Sequence, residues 1–165
     1  MRLLILILLL SVFGGINAQD QITRKEILSV LKETLAKSRN FDSEATNEWF
    51  FDNTNNDYLK KDTIVLNSAR SFKRDYCNII NWSFYKNDKF KLEKADYCNE
   101  PPTKLVSKDE DFMNIKIKKL NDVIFLNLFN VNGLVETYQI LSLKSNKTSD
   151  EENNFDYTLK LLRIK

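Results

Sequence analysis

Cys77-Asn78-Ile79-Ile80-Asn81-Trp82-Ser83-Phe84-Tyr85-Lys86-Asn87-Asp88-Lys89-Phe90-Lys91-Leu92-Glu93-Lys94-Ala95-Asp96-Tyr97-Cys98 is the stretch whose reading decides the fold. Two aromatic-rich arms flank Asn87-Asp88, a dipeptide suited to a tight turn, and the only two cysteines of the chain stand at the open ends. The segment predicts a β-hairpin closed by a disulfide between Cys77 and Cys98. The alternative is a pair of buried free thiols.

Register is the first question. Pairing Lys86 with Lys89 across a two-residue loop carries down the ladder to set Cys77 directly opposite Cys98. The two then form a non-hydrogen-bonded pair with Cα atoms roughly 4.5 Å apart, within the range of roughly 4.4–6.8 Å that a disulfide spans. The apolar pattern asks for something else. Ile80, Trp82 and Phe84 share one face, and a three-residue loop of Lys86, Asn87 and Asp88 brings Phe90 and Leu92 onto it, opposite Phe84 and Trp82. A one-residue β-bulge between Cys77 and Trp82 would satisfy both demands, and this is the expectation.

The compartment follows from the start of the chain. Residues 1–18 read as a secretory signal peptide: Arg2, the apolar run from Leu3 to Phe13, then Gly14-Gly15-Ile16-Asn17-Ala18. No cysteine follows the apolar run, so lipid attachment at a leader cysteine is not available. The expectation is a periplasmic or secreted chain without a membrane span, in a setting where thiols oxidise. On length grounds, residues 19–46 form a helix and linker and 47–165 a single β domain.

Composition excludes several functions. Histidine is absent from the 165 residues, which removes histidine-dependent triads and histidine metal sites. Two cysteines bonded to each other cannot close a thiolate zinc site. The net charge is +2, with lysines interspersed among acids, so there is no nucleic-acid footprint. No cofactor is expected.

Along the chain, Thr23-Arg24-Lys25-Glu26 is a capping box opening a helix over 24–38, with Ile27, Leu28, Leu31 and Leu35 as its apolar stripe. Strand-like runs follow at 48–51 and 62–66, in the two arms of the hairpin, and at 112–117, 123–129, 134–143 and 157–164. Turns are signalled at Asn121-Asp122 and Asn132-Gly133. Eight strands, mostly adjacent in sequence, predict an antiparallel meander closed into a barrel. Because 123–129 is apolar on both faces, the helix is expected outside the barrel, across strands 123–129 and 134–143. Residues 144–155 are expected to be an exposed loop.

Cys98-Asn99-Glu100-Pro101-Pro102, downstream of an aromatic hairpin and a second cysteine, resembles the Cys-x-x-Pro-Pro loop of small lipocalin-like proteins exported by Gram-negative bacteria. Glu136 to Leu143 and Leu159 to Ile164 are similar to the last two strands of that group. The resemblance implies an eight-stranded lipocalin-like barrel with a cavity and no assigned enzymatic activity. The Gly-x-Trp signature of typical lipocalins is Asn47-Glu48-Trp49 here, without its glycine.

Trp49, Trp82, Phe84, Phe90, Phe125 and Tyr138 are the candidate ligand-binding residues, since a small barrel either fills its interior with side chains or holds one small molecule. Asp109-Glu110-Asp111 lacks the spacing and turn glycine of a calcium loop and reads as a solvated connection. Asn81-Trp82-Ser83 and Asn146-Lys147-Thr148 match the glycosylation sequon, with only Asn146 in a suitable loop. Glu48, Glu93 and Glu136 fall on three strands with nothing in their spacing to make them converge. The expectation is an exported, non-catalytic binding domain for a small apolar ligand. The alternative is a protein-binding inhibitor or immunity-type module acting through loops 99–111 and 144–155.

Overall fold

A computed structural model describes residues 22–38, 47–68, 77–98, 103–104, 108–147 and 155–165. Residues 1–18 of the expected leader, residues 99–102 of the Pro-Pro segment and residues 148–154 of the expected loop lie outside that set. Helix α1 (Arg24–Ser38) opens as its capping box dictates. Glu26 N donates to the Thr23 hydroxyl at 3.1 Å, and Thr23 N donates to Glu26 Oε2 at 3.4 Å.

The strands are β1 (Asn47–Asp52), β2 (Thr63–Ser68), β3 (Asn78–Lys86), β4 (Lys89–Asp96), β5 (Thr103–Lys104), β6 (Phe112–Leu120), β7 (Val123–Asn130), β8 (Gly133–Lys147) and β9 (Phe155–Ile164). All but β5 join in a closed eight-stranded antiparallel barrel, with α1 outside the ring. The two-residue β5 lies against β4. Closure differs in one detail from a strict meander: β1 sits between β2 and β3, and β2 pairs with β9. Of the loop expected over 144–155, residues 144–147 and Phe155 belong to strands, since β8 runs on to Lys147 and β9 begins at Phe155.

In the hairpin of β3 and β4 both expected registers occur, and the bulge between them lies at the other end. Lys86 pairs with Lys89 across Asn87-Asp88, the register shifts between Phe84 and Lys86, and Phe84↔Phe90 and Trp82↔Leu92 then hold the core register down to Asn78↔Asp96. The bulge expected between Cys77 and Trp82 is therefore corrected to Tyr85. Cys77 faces Tyr97 in the ladder, with Tyr97 N donating to Cys77 O at 2.8 Å. Cys98 reaches Cys77 from one residue further on. Its amide donates to Asp96 Oδ1 at 3.1 Å, and the disulfide forms across a Cα separation of 4.8 Å.

Two further turns follow their residues. Asn121 and Asp122, at φ 47° and 64°, make the left-handed two-residue turn between β6 and β7. Between β7 and β8 the turn residues are Val131 and Asn132, one position earlier than the Asn132-Gly133 expected. Gly133 at φ +112° begins β8, and the register shifts between Leu128 and Phe129. Nothing lies within 4 Å of where a Cβ would be built on Gly133, so the backbone angle alone requires glycine. With the shift between Ile140 and Ser142 on β8 and β9, these bulges supply the bending that a small closed barrel needs.

The helix is not where the two-faced pattern of 123–129 placed it. It contacts β1, β3 and β6. Its buried residues Ile27, Val30, Leu31 and Leu35 belong to the same core cluster as the strand residues inside the barrel. Tyr157 at the start of β9 donates to Glu33 Oε2 at 2.9 Å. The helix thus lies across one end of the barrel, with its stripe against the apolar interior. On the outer face of β7, Lys116 Nζ stands 4.6 Å from the Phe129 ring centre. Among the described residues no helix is long and apolar enough to cross a membrane.

Closing a loop whose ends are 21 residues apart removes about 3 kcal/mol of unfolded-state entropy. The variant Cys77→Ala/Cys98→Ala is therefore expected to unfold at a markedly lower urea concentration than the oxidised protein; coincident unfolding curves would contradict the role given to the bond.

Candidate functional site

Alternation along the strands brings five of the six predicted ligand-binding aromatics together inside the barrel. Trp49, Trp82, Phe84, Phe90 and Tyr138 are buried. Trp82 stacks on Phe90 with ring centres 4.5 Å apart and planes at 10°, tilts against Tyr138 at 6.1 Å, and Phe84 meets Phe90 at 5.2 Å. Trp49 stacks on Tyr157 at 6.4 Å. Such pairs add about 0.5–1.5 kcal/mol each beyond their buried area. Phe125 is the exception. Ile124, Leu126 and Leu128 are the inward residues of β7, so Phe125 stands half-buried on the opposite face.

At the end away from the helix, a polar network stops the barrel. Arg163, near the end of β9, donates through Nη1 to Leu59 O at 3.0 Å and Lys61 O at 2.7 Å, and through Nη2 to Tyr58 O and the Tyr138 hydroxyl, each at 3.1 Å. Its Nε lies 3.2 Å from Glu136 Oε1, and the Tyr138 hydroxyl donates to Glu136 Oε2. Trp82 Nε1 donates to the Tyr58 hydroxyl at 3.0 Å. One guanidinium thus ties segment 58–61 to the barrel wall. Burial pushes the Tyr58 phenol up to about 12. Burial, with Tyr58 and Glu136 beside it, raises Tyr138 as well. Tyr58 and Arg163 were not among the sequence candidates. An arginine inside the apolar ending Leu161-Leu162-Arg163-Ile164 is the signal that could have found the network; Tyr58, in an Asn- and Asp-rich connection, carries none.

The remaining candidates resolve separately. Glu93 is buried on the outer face of β4, where it accepts from the Ser83 hydroxyl at 2.5 Å and pairs with Lys91 at 2.8 Å. Glu48 is opposite Ser83 in the ladder. Glu136 belongs to the Arg163 network, so the three glutamates do not converge. Asp109–Asp111 form one turn of 3-10 helix in which Lys108 N donates to Asp111 Oδ2 at 2.7 Å and Asn130 Nδ2 donates to Glu110 O at 3.0 Å. It serves as a joint between β6 and the β7–β8 hairpin. Among the described residues no group of side chains could hold a metal ion. Asn81 is fully buried in mid-strand and cannot be a glycan acceptor.

Outside the barrel two features stand out. Tyr85 and Phe112 meet edge to face at 6.2 Å while both remain exposed. Near them in the sheet, Val131, Leu134 and Val135 at the β7–β8 hairpin are exposed too. The second feature is a groove of about 470 Å³ between α1 and β6, lined by Arg24, Leu28, Asn87, Asp88 and residues 115–118. Compared with known proteins, the chain matches no family model, no curated protein and no solved structure.

Two predictions concern the network. Arg163→Met leaves three backbone carbonyls without their donor and Glu136 without its counter-charge, and a loss on the order of 3 kcal/mol is expected in urea unfolding; a loss below about 1 kcal/mol, the range of an exposed ion pair, would contradict the clamp. Between the ordinary tyrosine pKa of about 10 and the folded value of about 12 for Tyr58, the unfolded chain releases a proton that the folded chain keeps. Stability from the neutral Tyr58 is thus complete below pH 10 and lost as pH rises through 12. Urea unfolding at pH 9 and pH 11.5 should show a larger alkaline loss in the wild type than in Tyr58→Phe, and equal losses would refute the assignment.

Proposed function

We infer that the protein is an exported, non-catalytic binding domain that engages a protein partner through its outer surface. The observation that carries this reading is the aromatic stack: Trp82, Phe90, Phe84 and Tyr138 occupy the barrel interior in mutual contact. The helix and the Arg163 network close the two ends around them. A small apolar ligand held inside would have to displace that stack, whereas a protein partner finds Tyr85, Phe112, Val131, Leu134 and Val135 already exposed. Export is supported by the leader pattern of residues 1–18 and by the disulfide, which belongs in an oxidising compartment. The likeness to lipocalin-like exported proteins supports the same location.

Titration of the pure folded protein with the apolar fluorophore N-phenyl-1-naphthylamine tests the reading. No saturable signal that a long-chain fatty acid displaces is expected. Saturable, displaceable uptake would instead favour a carrier of small apolar molecules.

A further inference from the structure

Strand β6 is paired along its length on one side only. With β7 it pairs from Asn114↔Phe129 to Leu120↔Val123, but with β4 only through Phe112, Met113 and Asn114. Ile115 N donates to Asp88 O at 2.7 Å, and there the pairing on that side stops. Leu120 and Val123 flank a two-residue turn and exchange hydrogen bonds, so alternate residues Lys118 and Lys116 also turn their backbone toward β7. Lys119, Ile117 and Ile115 turn theirs the other way, as the bond from Ile115 to Asp88 bears out. The N–H and C=O groups of Ile117 and Lys119 therefore face a side on which no described strand pairs with them. That edge borders the groove whose other wall is Arg24 and Leu28 of α1.

The geometry points to this edge as the docking strip for an extended acidic peptide segment of a partner protein, added to β6 as a short antiparallel or parallel strand; the assignment rests on the protein-partner reading above. An incoming strand would satisfy the backbone groups of Ile117 and Lys119 that have no partner among the described residues. Its alternate side chains would fall on the apolar side, toward Leu28 and Ile117, and on the outer side, toward Lys116 and Lys118. Arg24, Lys116 and Lys118 against the single carboxylate Asp88 make the groove cationic, which selects acidic residues on the outer side. A second copy of the chain is a poor occupant, since pairing two β6 edges would set lysines against lysines.

The test is fluorescence anisotropy with the full mature chain and a labelled peptide of alternating Glu and Val. Binding of this peptide is expected, with roughly tenfold or greater weakening when Lys replaces Glu. Methylating the backbone nitrogens of all Val residues or of all Glu residues should abolish binding in one case and leave it in the other, because only one set faces β6. Lys119→Pro removes an edge donor without touching a bond to β7 and should also abolish binding. No binding of the Glu peptide, equal binding of the Lys peptide, or identical behaviour of the two methylated peptides overturns the proposal. Those outcomes leave the exposed apolar strip as a partner surface, whereas fatty-acid displacement of an interior probe would remove the protein-partner reading itself.

Discussion

The cross-strand contact of Phe84 with Phe90 and of Trp82 with Leu92 is the constraint on which the other parts of the barrel depend. Side chains alternate with a period of two, so a slip of one residue in this hairpin would carry Phe90 and Leu92 to the outside and leave Trp82 without its stacking partner. The bulge at Tyr85 absorbs the odd residue that the tight turn would otherwise impose. Its consequence is at the surface: Tyr85, set apart from the ladder, lies exposed against Phe112. The disulfide then holds the open end of the same hairpin.

Around that hairpin the two barrel ends are closed by different physics. At one end the apolar stripe of α1 meets the interior, and hydrophobic burial suffices, since Ile27, Val30, Leu31 and Leu35 join the common core. At the other end backbone carbonyls of segment 58–61 point inward and need donors. Arg163 supplies them, and Glu136 compensates its charge. A guanidinium with its fan of donors suits this task where a lysine would not. The interior between the two stops is taken by aromatic rings, and Tyr85, Phe112, Val131, Leu134 and Val135 stand exposed.

The strands, the helix bounds and the disulfide were legible because each rests on a local signal: alternation, a capping box, turn residues, two cysteines at the ends of one hairpin. Five of six candidate aromatics could be placed inside by the same alternation. Phe125 could not, because β7 is apolar on both faces and parity alone does not say which face is inner. The helix was misplaced for a related reason. An apolar outer face on β7 suggested a cover, but the helix stripe joins the apolar core at the barrel end, and on β7 the Lys116 ammonium stands over the Phe129 ring. Tyr58, the swap of β1 and β2 in the ring and the open edge of β6 are tertiary facts; they follow from which strands run out of partners, and a one-dimensional pattern does not record that.

The most direct test of the central claim is a nuclear Overhauser spectrum of the oxidised protein, read for Hα–Hα contacts across β3 and β4. Tyr97 N bonded to Cys77 O fixes the phase of the ladder, which makes Trp82/Leu92 and Phe84/Phe90 non-hydrogen-bonded pairs with close Hα atoms. Strong Hα–Hα signals between Trp82 and Leu92 and between Phe84 and Phe90 are the predicted result. Strong Hα–Hα signals between Ser83 and Leu92 and between Tyr85 and Phe90, the non-hydrogen-bonded pairs of the register one residue out of step, would contradict the aromatic core on which the account stands.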